Sequence, residues 1–441
     1  MNASANVTPK MLRRGLWWGL AASLVLAGSA RGGELMGLAA ANVAEGITNN
    51  ALSAPDGSSA VGADSFTIIH ASLSATERGP LHDQGLAYTY MGTFYATHSV
   101  ADAQTHSLYY YLNAAPTGQT AIRALATGAY GVTNSVNPIA ATAALNPQST
   151  VDLMFTAVPS GAITYLTGTA SAVGMYRPTP QLLWQETTLA TTFDPLTEGE
   201  VAHTFAISQD FRHEHQWARD AFTADLSVGY LDAAPFVTSL GFPEAEVQNL
   251  QGELLVGWRR QFSPFWNASL ELGVLALDSL NRSGDASVGP AGRAIAHYQN
   301  EPAYVDLTLQ HSTQLNVYLG QVFLADSAML RAVLMLDRRE RFRATAFGTA
   351  ERASEIVPGG GLDKAFDLLT ADVGLGYHPL SYPVLASLEY IIQDQIGYEV
   401  AGSLNPSLHR QAVMLTLTAL WGTNAAWGVA GSGSSGLTSL H

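Results

Sequence analysis

Residues 251–277, QGELLVGWRRQFSPFWNASLELGVLAL, read as two strands joined by a short turn, each sorted into two opposite faces. On the first strand Leu254, Val256 and Trp258 share one side, and Glu253, Gly257 and Arg259 the other. On the second, Ala268, Leu270, Leu272, Val274 and Ala276 oppose Asn267, Ser269, Glu271 and Gly273. Successive side chains of a strand point to opposite faces, so the hairpin has one apolar and one polar side. Trp258, Phe262, Phe265 and Trp266 crowd the turn, a place where rings suit a water–lipid boundary. An apolar outside, a polar inside and aromatic residues at the turn describe a hairpin of a transmembrane β-barrel.

The same alternation recurs along the second half of the chain. Phe222, Ala224, Leu226, Val228 and Tyr230 oppose Thr223, Asp225, Ser227 and Gly229. Val305, Leu307 and Leu309 oppose Tyr304, Asp306, Thr308 and Gln310. Ala371, Val373, Leu375 and Tyr377 oppose Asp372, Gly374 and Gly376, and after a tight 378–383 turn Ala386, Leu388, Tyr390 and Ile392 oppose Ser387 and Glu389. Segments 66–73, 86–96, 105–112, 151–157 and 162–176 are strand-like but separate their faces poorly. These segments predict an all-β chain forming a closed antiparallel transmembrane barrel. At about 10 residues per strand plus connections, residues 66–421 hold roughly 14–18 strands. The competing fold is a large soluble all-β protein, whose apolar faces would meet one another.

Charged residues make up 13% of the chain, well short of the roughly 25% usual in soluble domains. No uninterrupted apolar run after residue 30 approaches the roughly 20 residues of a membrane helix. The apolar content is therefore spread in alternation, which suits a barrel. Cysteine is absent, which excludes disulfides, thiolate metal sites, cysteine nucleophiles and lipoprotein acylation. Net charge is −15, and if Lys10, Arg13 and Arg14 leave with residues 1–30, 18 basic residues face 36 acidic ones. That balance argues against nucleic acid, whose binding rests on Lys and Arg neutralising phosphates.

Residues 11–30 carry Arg13 and Arg14, an apolar stretch from Gly15 to Leu26 and the small residues Gly28, Ser29 and Ala30. These are the parts of a secretory signal peptide, expected over 1–30 with cleavage after Ala30. Residues 31–64, rich in small residues, read as a flexible lead-in or lumen plug, 65–422 as the barrel, and 423–441 as a tail or a final short strand using Trp427. Short joins are expected near 263–265, 311–314 and 378–383, with longer connections at 231–250, 278–301, 344–367 and 394–410. Alternating short and long connections match periplasmic turns and external loops.

The polar faces supply the candidate lumen lining: Asp225, Ser227, Glu253, Arg259, Asn267, Glu271, Asp306, Gln310, Asp372 and Glu389. To these the run 331–343, RAVLMLDRRERFR, adds Arg331, Arg339, Arg341 and Arg343. If Leu330, Ala332, Leu334 and Leu336 face lipid, these arginines with Asp337 form a ladder into the lumen or its mouth, able to set up a transverse field. The alternative is a solvated strand end whose arginines touch lipid phosphates. The candidate aromatic girdle comprises Trp258, Phe262, Phe265, Trp266, Tyr377, Tyr390 and Trp421. His213 and His215 share a face with Phe211 and Trp217, which suits the girdle better than a metal, so no metal site and no cofactor are expected. Ser208 lies near His203, but there is no G-x-S-x-G elbow, H-E-x-x-H or P-loop, and no enzyme is expected.

As a class the chain resembles Gram-negative outer-membrane β-barrel proteins, from the signal to the alternating run QAVMLTLTALW, which places Val413, Leu415, Leu417, Ala419 and Trp421 on one face like a closing β-signal. The resemblance implies outer-membrane localisation, contact with lipid and lipopolysaccharide, and insertion by the barrel-assembly machinery. Residues 37–57, GLAAANVAEGITNNALSAPDG, are also similar to the start of the long-chain fatty acid transporters, with Asn49, Asn50 and Ala51 where that family has Asn-Pro-Ala. That likeness implies an N-terminal plug and uptake of hydrophobic compounds. The expected function is a passive channel or export pore for a solute or polymer. Fatty-acid-transporter-like uptake, exopolysaccharide export and a non-conducting structural or adhesion barrel stand beside it.

Overall fold

The computed structural model of the chain describes residues 34–51, 62–133, 163–196, 203–237, 243–244, 246–281, 286–316, 321–338, 341–357, 361–379, 384–400, 403–404 and 407–422. The expected signal peptide, the 151–157 segment and the 423–441 tail lie outside them. Period-2 patterning gives long strands throughout. They are β1 (Glu34–Thr48), β2 (Asp64–Arg78), β3 (His82–Tyr95), β4 (Ala103–Thr117), β5 (Thr120–Thr133), β6 (Ile163–Thr179), β7 (Leu182–Pro195), β8 (Thr204–Trp217) and β9 (Asp220–Ala233). After a small hairpin of β10 (Phe236–Val237) and β11 (Pro243–Glu244) come β12 (Val247–Gln261), β13 (Trp266–Ser279), β14 (Ser287–Asn300), β15 (Ala303–Asn316), β16 (Gln321–Met335), β17 (Phe342–Val357), β18 (Gly361–Tyr377) and β19 (Val384–Gly397). A second small hairpin, β20 (Glu399–Val400) with β21 (Ser403–Leu404), precedes β22 (Leu408–Gly422).

The long strands form one 18-stranded antiparallel sheet, at the upper end of the expected range. It closes on itself where β22 pairs with β1, from Leu38↔Gly422 to Thr48↔Ala412. Residues 34–48 are therefore a wall strand, not the lead-in or plug expected of 31–64, and the N-terminal part of the fatty-acid-transporter likeness does not become a plug here. The reason is low contrast: β1 turns Ala40, Asn42 and Ala44 inward and Ala39, Ala41 and Val43 outward, small residues on both sides.

Turns at one end of the barrel are mostly tight, as at 118–119, 180–181, 218–219 and 301–302, and both sheet-closing ends, Glu34 and Gly422, lie there. The other end carries the longer connections, including 49–63, 134–162, 234–246 and 398–407. Two expected connections are strands instead. Within 278–301 lies β14, and within 344–367 lie most of β17 and the start of β18; outward positions such as Ala294, Ala296, Ala344 and Ala346 are too small to mark a face. The join expected at 311–314 is also strand, because β15 runs on to Asn316.

The outer surface is apolar. Leu226, Val228, Leu254, Val256, Leu270, Leu272, Val274, Leu307, Leu309, Leu330, Leu334, Val373, Leu375, Leu388, Leu415 and Leu417 are all exposed. Such a contiguous belt far exceeds the apolar patches of soluble monomers. Among the described residues no helix is long and apolar enough to cross a membrane; here strands form the apolar wall.

One region departs from a simple cylinder. Pairing between β14 and β15 runs from Asn300↔Ala303 up to Gly292↔His311 and stops there. Above that point β14 stays with β13, through Leu277↔Ser287, while β15 stays with β16, through Asn316↔Gln321. Val322 and Leu324 stand on the same side of β16 as the exposed Leu330 and Leu334, yet Val322 packs with Ala206, Leu231 and Leu277, and Leu324 with Leu255, Leu275 and Ala291. Those partners belong to the inner faces of β8, β9, β12, β13 and β14. The upper β15–β16 hairpin therefore folds into the barrel, bringing β16 within 8 Å of β9 and β12, Cα to Cα. Phe323, on the opposite side, packs with Ala353, Ala365, Phe366 and Leu368 of β17 and β18.

Candidate functional site

Below the infolded hairpin the inner wall of β8–β14 carries a charged network. Glu271 on β13 is 1% exposed. It accepts hydrogen bonds from Arg293 Nε on β14 at 2.7 Å, Arg212 Nη2 on β8 at 3.1 Å and Thr223 Oγ1 on β9 at 3.0 Å. Asp225 on β9 accepts from Arg212 Nη1 at 3.2 Å and from Arg293 Nη2 at 2.9 Å. Two guanidinium groups and two carboxylates thus neutralise one another, as buried charges must. The network crosses β12 because Gly257 stands between Thr223 and Glu271 in register, where an added Cβ would lie 2.4 Å from Glu271 Cγ.

Beside this network a pocket of about 140 Å³ lies between the wall and the hairpin, lined by Asp210, Asp225, Ser227, Gln251, Glu253, Arg293, Gln310, Ser312 and Thr313. Asp210 and Glu253 enter no ion pair among the described residues. Gln251 is 9% exposed, and its Oε1 has no hydrogen-bond partner. The pocket therefore presents hydrogen-bond acceptors in excess of donors, and negative charge in excess of positive.

Of the lining residues read from the sequence, Asp225, Ser227, Glu253, Glu271 and Gln310 meet at this network and pocket. Nearer the tight-turn end, Arg259 donates from Nη2 to Glu214 Oε1 at 2.6 Å, and His297 Nδ1 lies 2.5 Å from Asp306 Oδ1. There Tyr304 also donates to Asp306, and the Arg331 guanidinium sits over the Tyr304 ring at 5.7 Å. Asn267 shares the inner face of β13 with Glu271, paired to Gln261 and His297. Arg343, Asp372 and Glu389 lie on β17, β18 and β19, away from the pocket, with Ser387 donating to Glu389 at 2.8 Å.

The arginine ladder over 331–343 does not form. The chain reverses between β16 and β17, so Arg331 and Arg343 stand on different strands. Arg341 belongs to the turn, where Asp337 accepts from its backbone N–H at 2.6 Å and its Nε at 2.9 Å. Asp337 also accepts from the Phe342 N–H at 3.0 Å. That N–H and the Arg341 donors hold the Asp337 carboxyl below the ordinary carboxylate range. Arg339 lies outside the described residues.

Trp258, Phe262, Phe265, Trp266, Tyr377 and Trp421 are exposed at the tight-turn end, where Trp266 packs on Tyr298 at 4.9 Å and Tyr377 on Phe342 at 4.8 Å. Tyr390 is exposed too, but halfway along β19, level with Val373 and Val413, so it belongs to the wall rather than the belt. The His213 ring lies 4.4 Å from that of Trp184, and the His215 ring 5.7 Å from that of Trp217. His203 pairs with Asp194.

The reading from sequence missed Arg212, Arg293, Asp210 and Gln251. Arg212 was hidden beside the more conspicuous His213 and His215, and Arg293 lies in a segment read as loop. The alternation of β9 put Thr223 on the polar face beside Asp225, though not among the lining residues.

No family model matches the chain, and no curated protein matches it. Among solved structures it is similar to OccK2 (OpdF) of Pseudomonas aeruginosa, at 10% identity and a TM-score of 0.44 over 88% of this chain and 98% of that one. It is similar to OccAB2 of Acinetobacter baumannii, at 11% identity and 0.43 over 88% and 98%, and to the copper transporter OprC, at 7% and 0.46 over 89% and 81%. At that level of likeness nothing about substrate carries across.

Proposed function

We propose that the chain is an integral barrel of a Gram-negative outer membrane that passes small polar solutes, cations in preference to anions, through a lumen narrowed by the β15–β16 hairpin. The observation that carries this reading is the polar pocket with Asp210 and Glu253 outside any ion pair among the described residues, set inside a wall whose outer face is apolar. A water-filled constriction lined by such carboxylates favours cations. The exposed leucine belt fits the lipid and lipopolysaccharide of that membrane, and the barrel-assembly machinery would insert it.

Planar-bilayer recording of the folded, purified protein tests this. Small cation-selective conductance is expected, rising when residues 313–324 are replaced by a short glycine turn. Silence from both proteins overturns the reading. It would favour a closed structural barrel, for which the apolar cluster of Phe66, Ile68, Tyr95 and Met414 inside the longer-loop end already speaks.

A further inference from the structure

The unpaired seam between β14 and β15 has a cause in the sequence. Proline lacks an N–H and is confined to sheet edges, and Pro290 sits in the stretch of β14 that has β13 on one side and no β15 partner on the other. On the outer face, at the foot of the seam where Gly292↔His311 is the last pair, lies a notch of about 440 Å³. Leu270, Leu272, Ala294, Leu309 and Ala328 form its apolar walls; His311 and Asp326, in hydrogen-bond contact at 2.6 Å, lie on its polar side. Inside the seam lies the pocket with Asp210, Gln251 and Glu253. Arg293 and Gln310 line both spaces; they are partners in register on β14 and β15, one step below Gly292↔His311, the last pair before the seam opens.

We propose that this seam is a lateral portal for an amphiphile with one alkyl chain and a primary ammonium head, the chain lying in the notch and the head in the pocket. The notch is apolar where it meets the leucine belt, so a chain enters it without leaving an apolar surrounding. The choice of head follows from what the pocket lacks. Arg212 and Arg293 are already matched by Asp225 and Glu271, which leaves the carboxylates of Asp210 and Glu253 and the unpartnered Gln251 Oε1. All three are acceptors, and two carry charge. An ammonium group supplies both the positive charge and the N–H donors, whereas an anionic head would be repelled there. The portal rests on the barrel lying in lipid, not on its conducting polar solutes.

The test is titration of octylammonium into the full-length protein in phosphatidylcholine nanodiscs, with empty discs subtracted and octanoate as the matched anion. Saturable octylammonium binding is expected, with octanoate at least about tenfold weaker. Ala294→Trp, which fills the notch from the lipid side, and the double variant Asp210→Asn/Glu253→Gln should each weaken octylammonium about tenfold or more. Ala328→Trp fills the same notch from the neighbouring wall and serves if Ala294→Trp does not fold. Ala294→Trp should leave ion conductance unchanged, which separates failure of the portal from failure of the pore. Absence of saturable binding, equal binding of octanoate, or parental affinity in either the notch or the pocket variant overturns the proposal.

Discussion

Leu324 and Leu330 stand on the same side of one strand, yet Leu330 is 43% exposed on the outer wall while Leu324 packs onto Leu255 and Leu275 inside the barrel. No register shift separates them along either neighbouring strand. The strand itself passes from wall to interior between the two, and one alternating pattern thus serves two apolar surroundings, lipid below and the protein's own inner wall above.

Their replacements by alanine should therefore differ. Leu324→Ala leaves a void between the hairpin and the wall and should cost about 2–5 kcal/mol. At Leu330 the surrounding chains close over the lost atoms, so Leu330→Ala should cost about 1 kcal/mol or less. Urea unfolding of both variants in the same detergent measures the difference, and equal losses would argue that the hairpin does not pack inside.

Glu271 is the shared acceptor of Arg212, Arg293 and Thr223, so its neutralisation strands two guanidinium groups on one remaining carboxylate, Asp225. Glu271→Gln should cost about 3 kcal/mol. Arg293→Met in the same chain should recover part of that loss, because the excess positive charge leaves with it. A double-mutant cycle should give a coupling of about 1–3 kcal/mol; additive losses would mean the network is too well hydrated to matter.

How much of this was readable in the sequence depended on side-chain size. The walls of β9, β12, β13 and β18 alternate leucine or valine with acids and glycine, and their faces are plain. β14 presents Gly292, Ala294 and Ala296 outward and Ile295 inward, which inverts the usual contrast, and Gly289 and Pro290 disguise it further as a loop. β1 and β5 are built largely of small residues on both sides. The paired charges of the site could be listed singly from the pattern, as Glu271 and Asp225 were, but their meeting across four strand pairs depends on register and on the Gly257 gap, which no local pattern encodes. The infolding of the β15–β16 hairpin was invisible for the same reason: Val322 and Leu324 look like any other lipid-facing pair.

The turn at Asp337 gives a pH dependence whose sign can be worked out. Its carboxylate, held by the Phe342 N–H and the two Arg341 donors, titrates below its unfolded value. A carboxyl depressed on folding stabilises the protein fully above the unfolded value of about 3.9 and loses that contribution as pH falls through the lower folded value. Asp337→Asn should therefore lower the thermal midpoint at pH 7, with the gap to the parent protein closing as pH drops below about 4. Midpoints recorded in one detergent from pH 7 to pH 2.5 provide the check; a gap that stays constant would remove the carboxylate from the account.

The tryptophans report on the bilayer itself. Trp184, Trp217, Trp258, Trp266 and Trp421 are all exposed at the tight-turn end, near the first or last residues of β7, β8, β12, β13 and β22. Indole rings favour the headgroup boundary, where an apolar body and a polar N–H are both accommodated. Trp258 already uses its N–H on Asp220, at 2.9 Å, which fixes the ring on the polar side of that boundary. In liposomes, lipids brominated near the glycerol end of the chain should quench this emission more than lipids brominated near the methyl end. Trp258→Phe and Trp266→Phe should reduce the quenched fraction without changing that depth order. Equal quenching at both depths would place the belt away from the boundary, and no quenching at all would mean that the leucine-covered wall meets something other than lipid.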